Sequence, residues 1–120
     1  MYEQTYRFGF EAAHELAANV EPGHDYAHVH GHSFEAVVTL RAAALGPQGW
    51  VADFADLRAA CEDVRGRLDH RFLNRIEGLE HPTMEVIAGW IFEKLRSELP
   101  ALARVEGARP SLGERVAYEP

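Results

Sequence analysis

The chain is short of thiols, of long apolar runs and of positive charge. Its single cysteine, Cys61, excludes an internal disulfide and any cysteine-rich metal site. No apolar run approaches the length of a membrane span. The first ten residues, MYEQTYRFGF, lack the basic start and apolar stretch of a signal peptide. A reduced, cytoplasmic setting is the expectation, with no membrane partner. There are 12 Lys and Arg against 19 Asp and Glu, for a net charge of −7. That balance argues against a nucleic-acid surface, which needs clustered basic residues. Repeats, low-complexity tracts and linkers are also missing. What is present is a globular composition, 47% hydrophobic and 26% charged, over 120 residues. One domain spanning residues 1–120 is expected.

Aromatics at Tyr2, Tyr6, Phe8 and Phe10 alternate with Glu3, Thr5, Arg7 and Gly9, which predicts a strand. The alternation returns between Ser33 and Arg41, with Phe34, Ala36, Val38 and Leu40 on one face. A turn at Gly46-Pro47-Gln48-Gly49 leads into a short extended piece at Trp50 and Val51. Asp53 then caps a helix whose apolar stripe is Phe54, Leu57, Cys61, Val64 and Leu68. Thr83 caps a second, lined by Val86, Ile87, Trp90, Ile91, Leu95 and Leu99. The tail from Ala103 to Tyr118 suits two short strands around Pro110 to Gly113. The fold class is therefore α+β, a four-stranded antiparallel sheet with two helices on one face. The opposite sheet face would need cover, which favours an oligomer.

The histidines carry the chemistry. There are seven, and His24, His28, His30 and His32 fall within nine residues. In an extended segment residues i and i+2 point the same way, so His30 and His32 can reach one ion. His14, just after the first strand, can be brought to the same point by a neighbouring strand. Three imidazoles suit zinc, and a three-residue site leaves a position for substrate or water. His24 and His28 can equally be solvated loop residues. Asp69 and His70 end the first helix. A carboxylate beside an imidazole can orient it for proton transfer. Adjacent side chains do not normally face each other, so the pair is open between a dyad and an exposed helix end. Thr83 and Glu85 can serve simply as helix-capping residues.

The ordered set Phe10-Glu11-Ala12-Ala13-His14, His30-Gly31-His32-Ser33-Phe34, Gly49-Trp50-Val51-Ala52-Asp53-Phe54, Leu68-Asp69-His70 with Leu73-Asn74, and Pro82-Thr83-Met84-Glu85 resembles the 6-pyruvoyltetrahydropterin synthases. It is most similar to their bacterial branch, the 6-carboxytetrahydropterin synthases. The resemblance implies a T-fold (tunnelling fold) subunit, a trimeric barrel, and a homohexamer made as a dimer of trimers with active sites at subunit interfaces. It implies Zn2+ on His14, His30 and His32, an acid/base pair in Asp69 and His70, and pterin contacts from Thr83 and Glu85. It also implies a pterin substrate. In the bacterial branch 7,8-dihydroneopterin triphosphate becomes 6-carboxy-5,6,7,8-tetrahydropterin, with loss of triphosphate and acetaldehyde, on the path to queuosine and other 7-deazapurines.

Two positions depart from the pattern. Tyr26 stands where the family carries its catalytic cysteine, with His24 and His28 as alternative bases. Aligned without gaps, Arg109 stands where the family anchors the pterin with a glutamate, with Glu106 and Glu114 as other candidates. Arginine only donates hydrogen bonds. The expectations are a zinc-dependent 6-carboxytetrahydropterin synthase-like lyase, a divergent family enzyme acting on a different pterin or related substrate, and a T-fold ligand binder without turnover.

Overall fold

The computed structural model describes residues 1–120. Its main elements are β1 (Tyr2–His14), β2 (His30–Ala42), α1 (Phe54–Leu68), β3 (Arg71–Phe72), α2 (Met84–Leu95), β4 (Leu102–Arg109) and β5 (Glu114–Tyr118). They make one sheet in the order β3-β1-β2-β4-β5, five strands rather than the expected four. Nor is it wholly antiparallel. Arg71 and Phe72 pair parallel to Ala12 and Ala13 of β1. Two residues are too few to carry a periodic signal, so this strand exists only through docking.

Alternation sets the core. Phe8, Phe10 and Ala12 of β1 are buried on the helix side with Phe34, Ala36, Val38 and Leu40 of β2. Phe10 lies opposite Phe34, and their rings stack 5.1 Å apart. Burying each such side chain contributes about 1.5–3 kcal/mol. The strand expected to end near Phe10 continues in the same alternation to His14, so that histidine belongs to β1 itself. Asp53 caps α1 by accepting the Ala55 N–H at 2.8 Å, and Leu57, Cys61, Val64 and Leu68 face the core. Thr83 caps α2 by accepting the Val86 N–H at 3.2 Å, and Ile87, Trp90, Ile91 and Leu95 are buried. Phe54 and Val86, expected on these stripes, sit in the first turns and stay exposed. Trp50 and Val51 form bends rather than a strand. Their loop is tied to β1 by Gln4, whose amide bonds both the N–H and the carbonyl of Ala52 at 2.8 and 2.9 Å.

The sheet face away from the helices carries charge, not apolar surface. Glu3 and Arg41 meet at 2.6 Å, Arg41 and Glu119 at 3.0 Å, Arg104 and Glu119 at 3.3 Å, and Arg115 and Glu106 at 2.9 Å. Water can cover such a ladder, so burial does not demand a partner there. The edges are another matter. No strand pairs outside β1 before Ala12, and nothing pairs outside β5. No helix is long and apolar enough to cross a membrane.

Candidate metal centre and its flanking clefts

Strand parity brings three histidines together. His14 lies directly opposite His30 across β1 and β2, and His32 follows two residues on, opposite Ala12. All three point to the core face, one step beyond the Phe10–Phe34 stack. The ring centroids of His14 lie 4.6 Å from His30 and 5.2 Å from His32. One ligand nitrogen from each falls within 4.8 Å of the others.

Two of the rings are held from behind. His14 Nδ1 donates to the Pro82 carbonyl at 3.0 Å, and His30 Nδ1 donates to the His28 carbonyl at 2.9 Å. A carbonyl on Nδ1 selects the tautomer whose Nε2 lone pair is free for a metal. His14 Nε2 is fully buried and has no hydrogen-bond partner. An unmatched buried acceptor of this kind is costly unless something binds it. Burial drives the His14 pKa down to about 4, partly offset by the Pro82 carbonyl, with His30, His32 and Arg109 lowering it further. His32 is lowered as well, by burial first and then by Arg109. Neutral imidazoles are the form that binds metal, so the donor set fits a zinc ion.

Two clefts take in residues of the triad, one on each face of the sheet. One, of about 580 Å³, is bordered by His32 together with Glu11, Ser33, His70 and Arg71. At its edge His70 faces Asp69, with Asp69 Oδ2 3.0 Å from His70 Nδ1. They do so because the chain turns through the left-handed region at His70, φ 59°. That conformation is uncommon outside glycine, although histidine is among the residues enriched there. It is held from both sides. The His70 N–H donates to the Glu11 carbonyl at 2.6 Å, and Asp69 Oδ1 accepts the Glu11 N–H at 2.8 Å. The Glu11 N–H, then the His70 ring, keep the Asp69 carboxyl below its ordinary pKa.

The other cleft, of about 320 Å³, is bordered by His14, Thr83, Glu85, Arg109 and Glu114. Arg109 reaches inward from the end of β4. Its Nη1 lies 3.3 Å from His32 Nε2, its Nη2 lies 2.8 Å from Glu114, and its Nε is buried with no partner. Glu106 pairs with Val37 and bonds Arg115 and Arg104 on the charged face, so it does not border this cleft. Of the three candidates for this position, Arg109 and Glu114 face the triad as one ion pair.

Tyr26 sits in a short 3-10 turn (Asp25–Ala27), half exposed, its ring 6.2 Å from that of His30. His24 caps that turn by accepting the Tyr26 N–H at 3.1 Å. Cys61 is fully buried in α1, and burial, with Glu62 beside it, pushes its thiol up to about 12. No thiol borders the triad.

The sequence profile described as 6-pyruvoyl tetrahydropterin synthase matches residues 3–119. The chain belongs to this family. It is 43% identical over 107 residues, 82% of this chain and 79% of the other, to a Synechocystis protein named 6-carboxy-5,6,7,8-tetrahydropterin synthase. It is 39% identical over 95 residues, 79% of this chain and 75% of the other, to the dihydroneopterin monophosphate aldolase of Pyrococcus furiosus. The structure of Caenorhabditis elegans 6-pyruvoyl tetrahydropterin synthase superposes with a TM-score of 0.86 at 26% identity, covering 99% of this chain and 95% of that one. The fold is thus the T-fold of the family, with five strands in its sheet and two helices.

Some of what positions these groups leaves no mark in a sequence. The carbonyls of Pro82 and His28 act through the backbone, which every residue type possesses. The Arg109–Glu114 pair follows from β4–β5 register, since the two lie directly opposite. Asn74 holds the chain that follows β1. Its amide accepts the Glu15 N–H and donates to the Glu15 and Glu80 carbonyls, pinning the end of β1.

Proposed function

We propose that this protein is a zinc-dependent lyase acting on the side chain of a phosphorylated dihydropterin. The first reaction assigned to it is conversion of 7,8-dihydroneopterin triphosphate to 6-carboxy-5,6,7,8-tetrahydropterin, on the queuosine path. The observation that carries the reading is the buried, unpartnered Nε2 of His14 beside His30 and His32, together with the Asp69–His70 pair at the end of α1. A pure binder needs neither. His14, His30 and His32 would hold the zinc, whose Lewis acidity would make the substrate's side-chain hydroxyls and neighbouring C–H more acidic. His70, oriented by Asp69, would carry protons. Thr83 and Glu85 would contact the ring, with Glu85 as an acceptor for its N–H groups. Open edges on β1 and β5 support assembly of copies into a barrel, and light scattering should report a hexamer.

A second reading, an aldolase on dihydroneopterin monophosphate, is favoured by the lack of a thiol beside the triad. Aldol cleavage starts from a hydroxyl proton, which a metal site can acidify and an imidazole can take. Incubating the zinc-loaded protein separately with the triphosphate and the monophosphate, with products read by mass spectrometry, tests both. Acetaldehyde with 6-carboxytetrahydropterin supports the first reading. A two-carbon aldehyde with a ring still at the 7,8-dihydro level supports the second. Neither product, at full zinc content, refutes the lyase.

A further inference from the structure

A guanidinium lies against the histidine triad and divides its nitrogens between two partners. Arg109 Nη1 is 3.3 Å from His32 Nε2, and Nη2 is 2.8 Å from Glu114. Arginine can only donate, so His32 Nε2 is the acceptor and its single lone pair is taken. That lone pair can serve a guanidinium or a metal ion, not both. Charge opposes the ion as well. A divalent cation held by His14, His30 and His32 stands close beside a full positive charge, in a site where water screens poorly. Arg109 does not shed that charge to solvent. Its side chain is only 18% exposed, and its Nε is buried without a partner.

Glu114 gives the guanidinium somewhere to go. It lies directly opposite Arg109 in the β4–β5 register, and no other carboxylate is within ion-pair distance of Arg109. Glu114 also has a second oxygen. When Nη1 leaves His32, that oxygen can accept it, and the single contact becomes a two-pronged arginine–carboxylate pair. The carboxylate at the same time offsets the positive charge left beside the ion.

We propose that Arg109 is an internal competitor for the metal. It holds His32 until an ion binds, is displaced onto Glu114 when one does, and so sets the affinity of the triad. Three imidazoles still hold the ion, and the guanidinium decides how tightly. The centre is therefore stripped more readily than the same triad with no cation beside it. This role rests on the metal centre assigned above and is independent of the identity of the substrate.

Zinc affinity of the full chain, measured by competition with a chromophoric chelator at fixed pH and ionic strength, tests it. Wild type, Arg109→Met, Glu114→Gln and the double variant are compared. Arg109→Met should bind zinc about tenfold or more tightly than wild type, the worth of one hydrogen bond involving a charged group. Glu114→Gln should bind it more weakly, because the displaced guanidinium has lost its counter-charge. The double variant should again bind more tightly than Glu114→Gln alone. Melting curves taken without zinc establish that each variant is folded, and Arg109→Leu replaces the methionine variant if that one is not. An affinity in Arg109→Met equal to or weaker than wild type overturns the proposal. So does a gain that disappears in the Glu114→Gln background, which would make the freed Glu114 carboxylate its cause. Failure of the wild type to bind zinc at all overturns the metal centre itself, and this proposal with it.

Discussion

The imidazole of His14 hangs from the carbonyl of Pro82 by a 3.0 Å hydrogen bond, and its other nitrogen is buried without a partner. One contact thus ties the end of β1 to the start of α2 and aims a ligand at the point where His30 and His32 converge. Replacing His30 by Ala should lower bound zinc from about one ion per chain to near zero, since two imidazoles rarely hold it tightly. Elemental analysis of the purified variant decides the matter, and full zinc content would sink the assigned centre.

The lone thiol should be chemically silent. Cys61 is buried and its pKa is pushed up to about 12, so almost no thiolate exists near neutral pH. Iodoacetamide should label it only after denaturation. Cys61→Ala should cost about 1 kcal/mol of stability through lost packing, with turnover unchanged. A Cys61→Ala enzyme that folds normally but has lost turnover would reinstate the thiol as a working group.

Asp69 should leave a signature in acid. Its folded pKa lies below the unfolded value, chiefly through the Glu11 N–H and then the His70 ring. Between the two values the native state binds fewer protons than the unfolded state, so stability rises with pH across that window. The contribution is fully present above the unfolded value, near pH 4, and fades as pH falls through the folded one. Denaturation midpoints of the wild type and Asp69→Asn should converge as pH is lowered from about 5 toward 2. A gap that stays constant would mean that the carboxylate contributes nothing through its charge.

Tyr26 can be tested directly as a replacement base. Tyr26→Cys should raise synthase turnover if only the thiol was lost from an otherwise intact site. Tyr26→Phe removes the phenol and should abolish turnover if that phenol is the base. Retained activity in Tyr26→Phe would pass the role to His24 or His28.

Gly78 tests the fold rather than the chemistry. Its φ is +90°, and a Cβ there would come within 2.9 Å of Trp90 Cδ1. That indole is anchored by its Nε1 donating to the Glu77 carbonyl at 3.0 Å. Gly78→Ala should lose about 2 kcal/mol or more, read by urea denaturation. An unchanged midpoint would show that the turn rearranges freely.

Period-two patterns carried much of this structure in plain view. Phe34, Ala36, Val38 and Leu40 announced their shared face, and the same parity placed His30 and His32 together. Parity also separated Arg109 from Glu106, because a three-residue shift must change faces. Other features depend on distances that no local pattern encodes. Arg71 and Phe72 become a strand only because β1 runs past Phe10 to receive them. Asp69 and His70, neighbours that ordinarily diverge, face each other only because Glu11 holds the chain in a left-handed turn. Alternation shows which side of the sheet is polar, while the pairing of its charges follows from the register between strands.

Position 70 is filtered twice, by backbone and by chemistry. At a φ of 59°, glycine and asparagine are accommodated easily and β-branched residues are not. A library randomised there would return one set of residues under selection for folding and a narrower one under selection for turnover. Loss of activity in His70→Val would mix a missing imidazole with a misplaced Asp69. His70→Asn, which accepts the turn, isolates the imidazole.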